Sequence, residues 1–599
     1  MKNPLLLMII LTFLPTAIYP DLSLKRIANL TPGTHYSTGY ILCGDTDNDS
    51  LNELIFSTSD VYISLQVWEY RPVNRYELVW QAVGGQPPPP GGILVGNFAP
   101  NDIGDIDKDG LPDLVGRNTE YYYKDYFHTL VSTQESPDSS SFPESLSWYQ
   151  RYSSNAAEAA PFYYTGDLDQ DEKEEIQFTS GQTGYNYIFE NIANDSNAVV
   201  WSRYQAGYYF TYGDFDLDGR KEFVSANPAS IGLTWVYENT APDSYELVFV
   251  DTVRRPNGYD IFSGKDLDDD GKPEFYIGFA QSVGGSYYDI YLYMWESTGN
   301  NMYEKTLIDV LRIHNFTSVQ RRSKCADLDG DGIEELIWST LTNLLVYKAT
   351  SNNQFQRVWE WQNDHATDVE DGRVNVYDMN KNGYNEIIFF GNGKISIFEI
   401  EAVRLIRPNG GQNFLPGDSV LIKWRKFYPP RCDSFSLSYT IDNGITYLPI
   451  LNSIPSTEST YNWIVPNTPS ESCRVKVTAY GPGTQFDESD ALFTILPTGL
   501  EETQVIIDQP LRLDINPNPS KAGFRFQIRN AGKQDLNLKI YTLSGKLVKS
   551  FSLKTNNQKL ITLIWDGRDN KGKRLPSGIY FLCYQLEGVS ETKGIIILR

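Results

Sequence analysis

Short apolar runs along this chain alternate with clusters of Asp, Asn, Gly and Pro, the pattern of brief strands joined by turns rather than of helices. The clearest runs each follow an acidic stretch: Leu54-Ile55-Phe56, Phe223-Val224, Phe275-Tyr276-Ile277, Leu336-Ile337-Trp338 and Ile387-Ile388-Phe389. A second phrase then recurs. Val67-Trp68-Glu69-Tyr70 precedes Tyr76-Glu77-Leu78-Val79-Trp80, and Val236-Tyr237-Glu238-Asn239 precedes Tyr245-Glu246-Leu247-Val248-Phe249. Val346-Tyr347-Lys348 ahead of Phe355-Gln356-Arg357-Val358-Trp359 repeats it. Together they describe a unit of four strands: one entering an acidic loop, one leaving it, and a hairpin.

The loop itself is a nine-residue pattern, D-x-D-x-D-G-x-x-[D/E], that occurs seven times, starting at residues 45, 105, 167, 214, 266, 327 and 378. Side-chain oxygens at its first, third and fifth residues can converge on one hard cation, and the ninth carboxylate can close the shell. An all-oxygen site of this kind suits Ca²⁺ rather than Zn²⁺ or Cu²⁺. The candidate ligands are Asp45, Asp47, Asp49 and Glu53; Asp105, Asp107, Asp109 and Asp113; and Asp167, Asp169, Asp171 and Glu175. They continue as Asp214, Asp216, Asp218 and Glu222; Asp266, Asp268, Asp270 and Glu274; Asp327, Asp329, Asp331 and Glu335; and Asp378, Asn380, Asn382 and Glu386. Up to seven Ca²⁺ sites are expected. Gly at the sixth residue permits a positive-φ turn; Ser50 and Glu172 replace it in the first and third loops, and the seventh loop has Asn for two carboxylates. These three are expected to bind more weakly than the second, fourth, fifth and sixth.

Loop spacings of 47 to 62 residues suit four-stranded propeller blades. The seventh unit ends after Ile395 to Ile400 without a fourth strand, and Leu22 to Leu30, ahead of the first loop, is expected to supply it and so remove a sheet edge. On these residues the chain resembles the FG-GAP and VCBS repeat proteins, which include the integrin α-subunit propeller. The resemblance covers about residues 21–402 and implies a seven-bladed propeller with Ca²⁺ on one face. Ligands in that family usually bind the opposite face. No ligand-binding motif carries over residue by residue.

Charge sharpens the metal reading. The loop positions hold 26 carboxylates and the whole chain has a net charge of −25, so the remainder is close to neutral. So acidic a protein is repelled by a phosphate backbone, which excludes nucleic acid as a partner. Gly 46, Pro 32 and 14% aromatics fit a turn-rich all-β protein. Five Cys exclude a disulfide-dense scaffold. Cys432 and Cys473 form either a pair or two separate buried thiols, whereas Cys43 and Cys325 occupy equivalent places before acidic loops. Residues 1–20, with Lys2 and the apolar Leu5 to Leu14, read as a secretory signal peptide. No other segment is apolar and long enough to cross a bilayer, so the mature chain is expected to be secreted or held at the outer cell surface.

Beyond the ring, residues 403–496 read as an Ig- or fibronectin-like β-sandwich, with a hairpin signal at Asp442-Asn443-Gly444. After a linker at 497–510, residues 511–599 carry NPNPS (516–520), LKIYTLSGKLV (538–548) and WDGRDNKGKRLPSGIYF (565–581). These phrases resemble the C-terminal sorting domain of type IX secretion substrates and the related Ig-like domain of the flagellar hook-capping protein. The first of these implies a partnership with secretion machinery. The fold expected for the whole chain is all-β: a seven-bladed propeller followed by two β-sandwich domains.

No nucleophile elbow, phosphate loop, dinucleotide fingerprint or zinc-hydrolase spacing occurs, and His35, His128, His314 and His365 are scattered. The expected function is calcium-dependent recognition of a protein or glycan ligand. A polysaccharide lyase or glycoside hydrolase built on the propeller is the alternative, since paired carboxylates are invisible in sequence. A structural envelope component is a third reading. Tyr121-Tyr122-Tyr123, Tyr163-Tyr164, Tyr208-Tyr209 and Tyr287-Tyr288 are candidates for stacking on sugars or for packing between blades.

Overall fold

The computed structural model describes residues 22–599 except 33–39, 60–62, 73, 84–97, 122–126, 136–140, 143–144, 154–161, 181–183, 205–206, 208, 228–231, 253–256, 315–322, 341–342, 363–371, 392, 498–511, 530–534, 555–559 and 587–588. The signal-peptide and linker readings, His35, His365, Tyr122, Tyr123 and Tyr208 therefore lie outside the described residues. Two compact units are present, Met1–Pro497 and Thr498–Arg599. All regular elements among the described residues are strands, and no helix is long and apolar enough to cross a membrane.

The first unit contains seven four-stranded antiparallel sheets, the blades. Blade 4 is representative: Tyr209–Gly213, Glu222–Asn227, Leu233–Ala241 and Ser244–Thr252 lie in sequence order across the sheet. The second strands are buried on both faces, as in Glu175–Thr179 and Glu335–Ser339, where every residue is buried. Burial on both faces follows from the position of each blade between two neighbouring sheets.

That stacking produces a circle of seven cores. Leu42, Ile55 and Val67 of blade 1 meet Phe98 and Leu114 of blade 2. Val115 of blade 2 meets Phe162 and Ile176 of blade 3, and Ile188 of blade 3 meets Phe210 and Phe223 of blade 4. The series continues through Val224 with Phe275 and Ile277, Tyr276 and Met294 with Leu336 and Trp338, and Ile337 and Val346 with Ile387 and Phe398. Ile388 and Phe390 of blade 7 then pack against Leu54 and Phe56 of blade 1, which closes the circle.

Blade 7 is completed from the other end of the chain. Leu24–Leu30 pairs antiparallel with Lys394–Ile400, from Leu24 opposite Ile400 to Leu30 opposite Ile395, with a bulge between Arg26 and Ala28. The strand expected from the sequence to close the ring does so.

A sandwich follows within the same unit. Val403–Arg407, Ser419–Lys426 and Thr460–Ile464 form one sheet. The other is built around Ser434–Thr440 and Ser470–Tyr480. Ser419–Lys426 alternates exposed and buried residues as a one-sided strand should, and Trp424, Phe435, Trp463 and Phe493 fill the interior. The second unit is a smaller sandwich. Arg512–Asn516, Phe524–Arg529 and Leu560–Trp565 face a four-stranded sheet centred on Asp535–Thr542 and Gly578–Leu586, around Phe526, Trp565 and Leu582.

All five cysteines are free, so of the two readings of Cys432 and Cys473, separate thiols are found. Cys43 and Cys325 do occupy equivalent places: each lies in its blade's first strand, opposite Leu54 and Leu336 respectively.

Candidate metal sites on one face of the ring

Every acidic loop joins the first and second strands of its blade, and all seven share one backbone path. The fourth residue is left-handed in each: Asn48, Lys108, Gln170, Leu217, Asp269, Gly330 and Lys381, with φ between 56° and 72°. The sixth is left-handed as well, at φ 89–94° for the glycines and 72° and 76° for Ser50 and Glu172. The first and third loops therefore keep the shape without Gly, at a strain on the order of 1–2 kcal/mol.

This path aims backbone N–H groups at the carboxylates in a fixed scheme. In the fourth loop Asp214 accepts from Asp218 (3.1 Å) and Gly219 (3.0 Å), Asp218 Oδ1 accepts from Arg220 (2.9 Å), and Glu222 Oε2 accepts from Phe215 (2.6 Å). The ninth carboxylate accepts from the second residue's N–H in every loop. The ninth carboxylate thus spends one oxygen on the backbone and keeps the other to face inward, whereas the first-position Asp of loops three to seven accepts N–H groups on both oxygens. In loops one, three and four all four acids offer oxygens within 4.8 Å of one another, and in loop two Asp105, Asp107 and Asp109 do so.

Those inward oxygens lack partners. Buried carboxylate oxygens without a hydrogen bond include Asp45 Oδ1 and Glu53 Oε1 in loop one, Asp105 Oδ1 in loop two, and Asp169 Oδ1 and Glu175 Oε1 in loop three. Glu222 Oε1 in loop four and Asp268 Oδ1 and Glu274 Oε1 in loop five complete the series. Leaving a buried charged acceptor unsatisfied costs more than a neutral one, so repeated unpartnered oxygens in one place suit coordination of a cation. The residues of loops one to five therefore suit a hard divalent ion.

A further acid joins them that the sequence reading did not count as a ligand. The third strand places Glu69, Glu135, Glu190, Glu238 and Glu296 directly opposite the ninth loop residues Glu53, Asp113, Glu175, Glu222 and Glu274. In blade 7, Glu399 occupies the corresponding place next to Glu386. Glu190 Oε2 and Glu296 Oε2 are also buried and unpartnered, while their other oxygens take the ammonium groups of Lys173 (2.6 Å) and Lys272 (2.5 Å). The signal was present in the Trp-Glu and Tyr-Glu of the recurring third-strand phrase, but only the pairing register shows which loop residue each Glu opposes.

Loops six and seven are satisfied by side chains of their own blades. Lys348, at the third-strand position where the other blades have Glu, donates to Asp329 Oδ2 (2.7 Å), Asp331 Oδ2 (2.6 Å) and Glu335 Oε1 (2.8 Å). In loop seven, Asn380 and Asn382 take backbone N–H groups on their amide oxygens. Their amide nitrogens are left to donate, Asn380 to Glu386 and Glu399 and Asn382 to Glu399 (2.5 Å). No Asp or Glu of these two loops is among the buried unpartnered atoms. The ranking from sequence placed loop six with the strong binders; its nine residues conform, and the departure comes from outside them.

Neighbouring loops touch, which gathers the sites on one face. Asn52 of loop one donates to the carbonyls of Asp378 and Met379 in loop seven, and Lys381 returns a bond to Ser50. Lys108 reaches Glu172, Gln170 reaches Gly219, and Asn385 reaches Asp327. Hairpin tips add a second link. The N–H groups of Asp195, Asp243, Asn301 and Asn353 each donate to the third-position acid of the preceding blade's loop: Asp107, Asp169, Asp216 and Asp268.

Burial pushes the ninth carboxyls well above their ordinary range: Glu175, Glu222 and Glu386 to about 9, Glu274 to about 8, and Glu53 and Asp113 to about 7. Neighbouring carboxylates add to the effect of burial. Lys348 moves upward, because Glu335, Asp329 and Asp331 outweigh the burial that would lower it.

The tyrosine candidates separate. Tyr163 packs edge-on to Phe210 between blades and Tyr164 donates to Glu174. Tyr287 is 45% exposed and lies against His314, and Tyr185 and Tyr204, 40% and 56% exposed, lie against each other. These four residues sit at the strand ends away from the acidic loops.

The FlgD Ig-like domain family matches residues 516–583. No curated protein matches the chain. Among solved structures, the WD40 domain of SCAP from fission yeast is 12% identical over 63% of this chain and 97% of its own, with a TM-score of 0.28. PorZ, a bacterial surface component of the type IX secretion system of Porphyromonas gingivalis, is 11% identical over 95% of this chain and 83% of its own, with a TM-score of 0.16. The plexin A4 extracellular region is 7% identical over 96% and 84%, with a TM-score of 0.33.

Proposed function

We propose that this chain is an extracellular, calcium-braced propeller that recognises a ligand through the face away from its ions. The observation that carries the calcium reading is the repeated set of buried, unpartnered carboxylate oxygens converging in loops one to five. Pockets grouping three or four hard carboxylate ligands favour Ca²⁺, and Mg²⁺, which keeps several waters, suits such a cage less well. The ion acts structurally. Each of five clusters of mutually repelling carboxylates loses two units of negative charge when filled, and because only the folded ring assembles them, binding energy becomes folding energy.

Recognition rests on the exposed rings of Tyr185, Tyr204 and Tyr287 at the other ends of the strands, where amphipathic tyrosines offer area and a hydroxyl to a glycan or protein surface. The C-terminal unit, in this reading, delivers the chain to the cell exterior, as the sorting domains it resembles do. The test is a glycan and protein array probed with the full chain, with and without calcium, alongside Tyr204→Ala and Tyr287→Ala. A specific hit weakened by both substitutions supports recognition. Equal binding by all three forms, or release of product from a polysaccharide hit, overturns it in favour of another face or of catalysis.

A further inference from the structure

We infer that Lys348 is a tethered cation occupying the ion position of blade 6, so that this third-strand lysine, and not the loop sequence, keeps that blade from taking calcium. The inference deepens the calcium reading and rests on it. The Lys348 ammonium bonds acids at the third, fifth and ninth loop positions, and its side chain is only 13% exposed. The oxygen it takes at the ninth position, Oε1, is the one left without a partner on Glu53, Glu175, Glu222 and Glu274. Those four glutamates are fully buried, so the orphan atoms are not relieved by solvent. Lys173 and Lys272 of blades 3 and 5 reach only the fifth-position and third-strand acids, whereas Lys348 holds the third and ninth acids as well, and a divalent ion entering beside that ammonium meets like-charge repulsion in a poorly screened site.

Ring closure accounts for the exception. The third-position acids of loops two to five receive an N–H from the next blade's hairpin tip. Blade 7 has no such hairpin, because its third strand runs on into the sandwich and its fourth is Leu24–Leu30. Asp329 receives Lys348 instead. In loop seven the amide nitrogens of Asn380 and Asn382 do the corresponding work, in an orientation fixed by the N–H groups on their oxygens.

The two ion-independent loops are the ones that hold the sandwich. Its Tyr480–Thr484 turn lies on them: a Cβ at Gly330 would meet Pro482 at 2.5 Å, and one at Gly483 would meet the Tyr384 ring at 2.5 Å. Thr484 N–H donates to the Asn382 carbonyl at 2.8 Å. The junction is therefore built to persist when calcium is withdrawn.

Bound calcium per folded full-length chain, measured by native mass spectrometry and elemental analysis, is expected to be five in the wild type and six in Lys348→Glu. Asp331→Asn, in loop six, should leave five, whereas Asp270→Asn, in loop five, should leave four. Six or seven ions in the wild type, or four in Asp331→Asn, overturns the Lys348 assignment while leaving the calcium reading intact. No bound calcium in the wild type overturns both. Amine labelling supplies a readout that needs no variant: Lys348 should stay protected in chelator, and labelling at the rate of the exposed Lys265 would overturn the assignment.

Discussion

Withdrawing calcium should lower the melting temperature of the first unit by more than ten degrees. Loops one to five each leave buried carboxylate oxygens unpartnered, so each is treated as one linked site. At free calcium about 100-fold above the dissociation constant, each site adds about 2.7 kcal/mol, or ~13 kcal/mol for five. Ring and sandwich pack as one unit of ~480 residues, and an unfolding entropy of about 2.1 cal/mol/K per residue gives ~1 kcal/mol per degree. The expected shift is therefore ~13 °C. Scanning calorimetry of the full chain in excess calcium and in chelator measures it. The second unit, Thr498–Arg599, carries none of the acidic loops, so a separate transition from it should not move. A first-unit shift below ~2 °C would refute the linkage.

Three further outcomes follow from named contacts. In chelator, stability should fall as pH rises from about 5 to 9: the ninth carboxyls, raised by burial to about 7 to 9, hold protons in the folded state that the unfolded chain releases near pH 4.5. Melting curves across that range that rise with pH would contradict this. Deleting residues 22–30 strips Lys394–Ile400 of its outer partner and exposes a sheet edge, so light scattering should detect oligomers, and a stable monomer would count against closure. Tyr384→Ala removes a ring that is 2% exposed and pressed against Gly483. It should cost about 3–5 kcal/mol and open the segment between ring and sandwich to protease without changing calcium stoichiometry; lost calcium would show that the junction and the ions are coupled.

The seven blades were legible because a single nine-residue pattern punctuates each, and the incomplete seventh unit pointed to Leu22–Leu30 as its closing strand. The loop acids were legible for the same reason. What a linear pattern could not carry was the partner across the sheet. Glu190 and Glu296 lie 15 and 22 residues after Glu175 and Glu274, an offset that varies with hairpin length, so only the register reveals them. Lys348 escaped notice for that reason too: loop six has a conforming sequence, and the group that fills it sits 13 residues beyond Glu335. Loop seven was marked as divergent from its two Asn, but the amide donors that satisfy Glu386 and Glu399 appear only once those side chains converge.

The most direct measurement is an anomalous difference map from crystals grown with a lanthanide in place of calcium. Five peaks are expected on one face of the ring, one inside each loop of blades 1 to 5, with none in blades 6 and 7. No peaks, or peaks scattered away from those carboxylates, would contradict this.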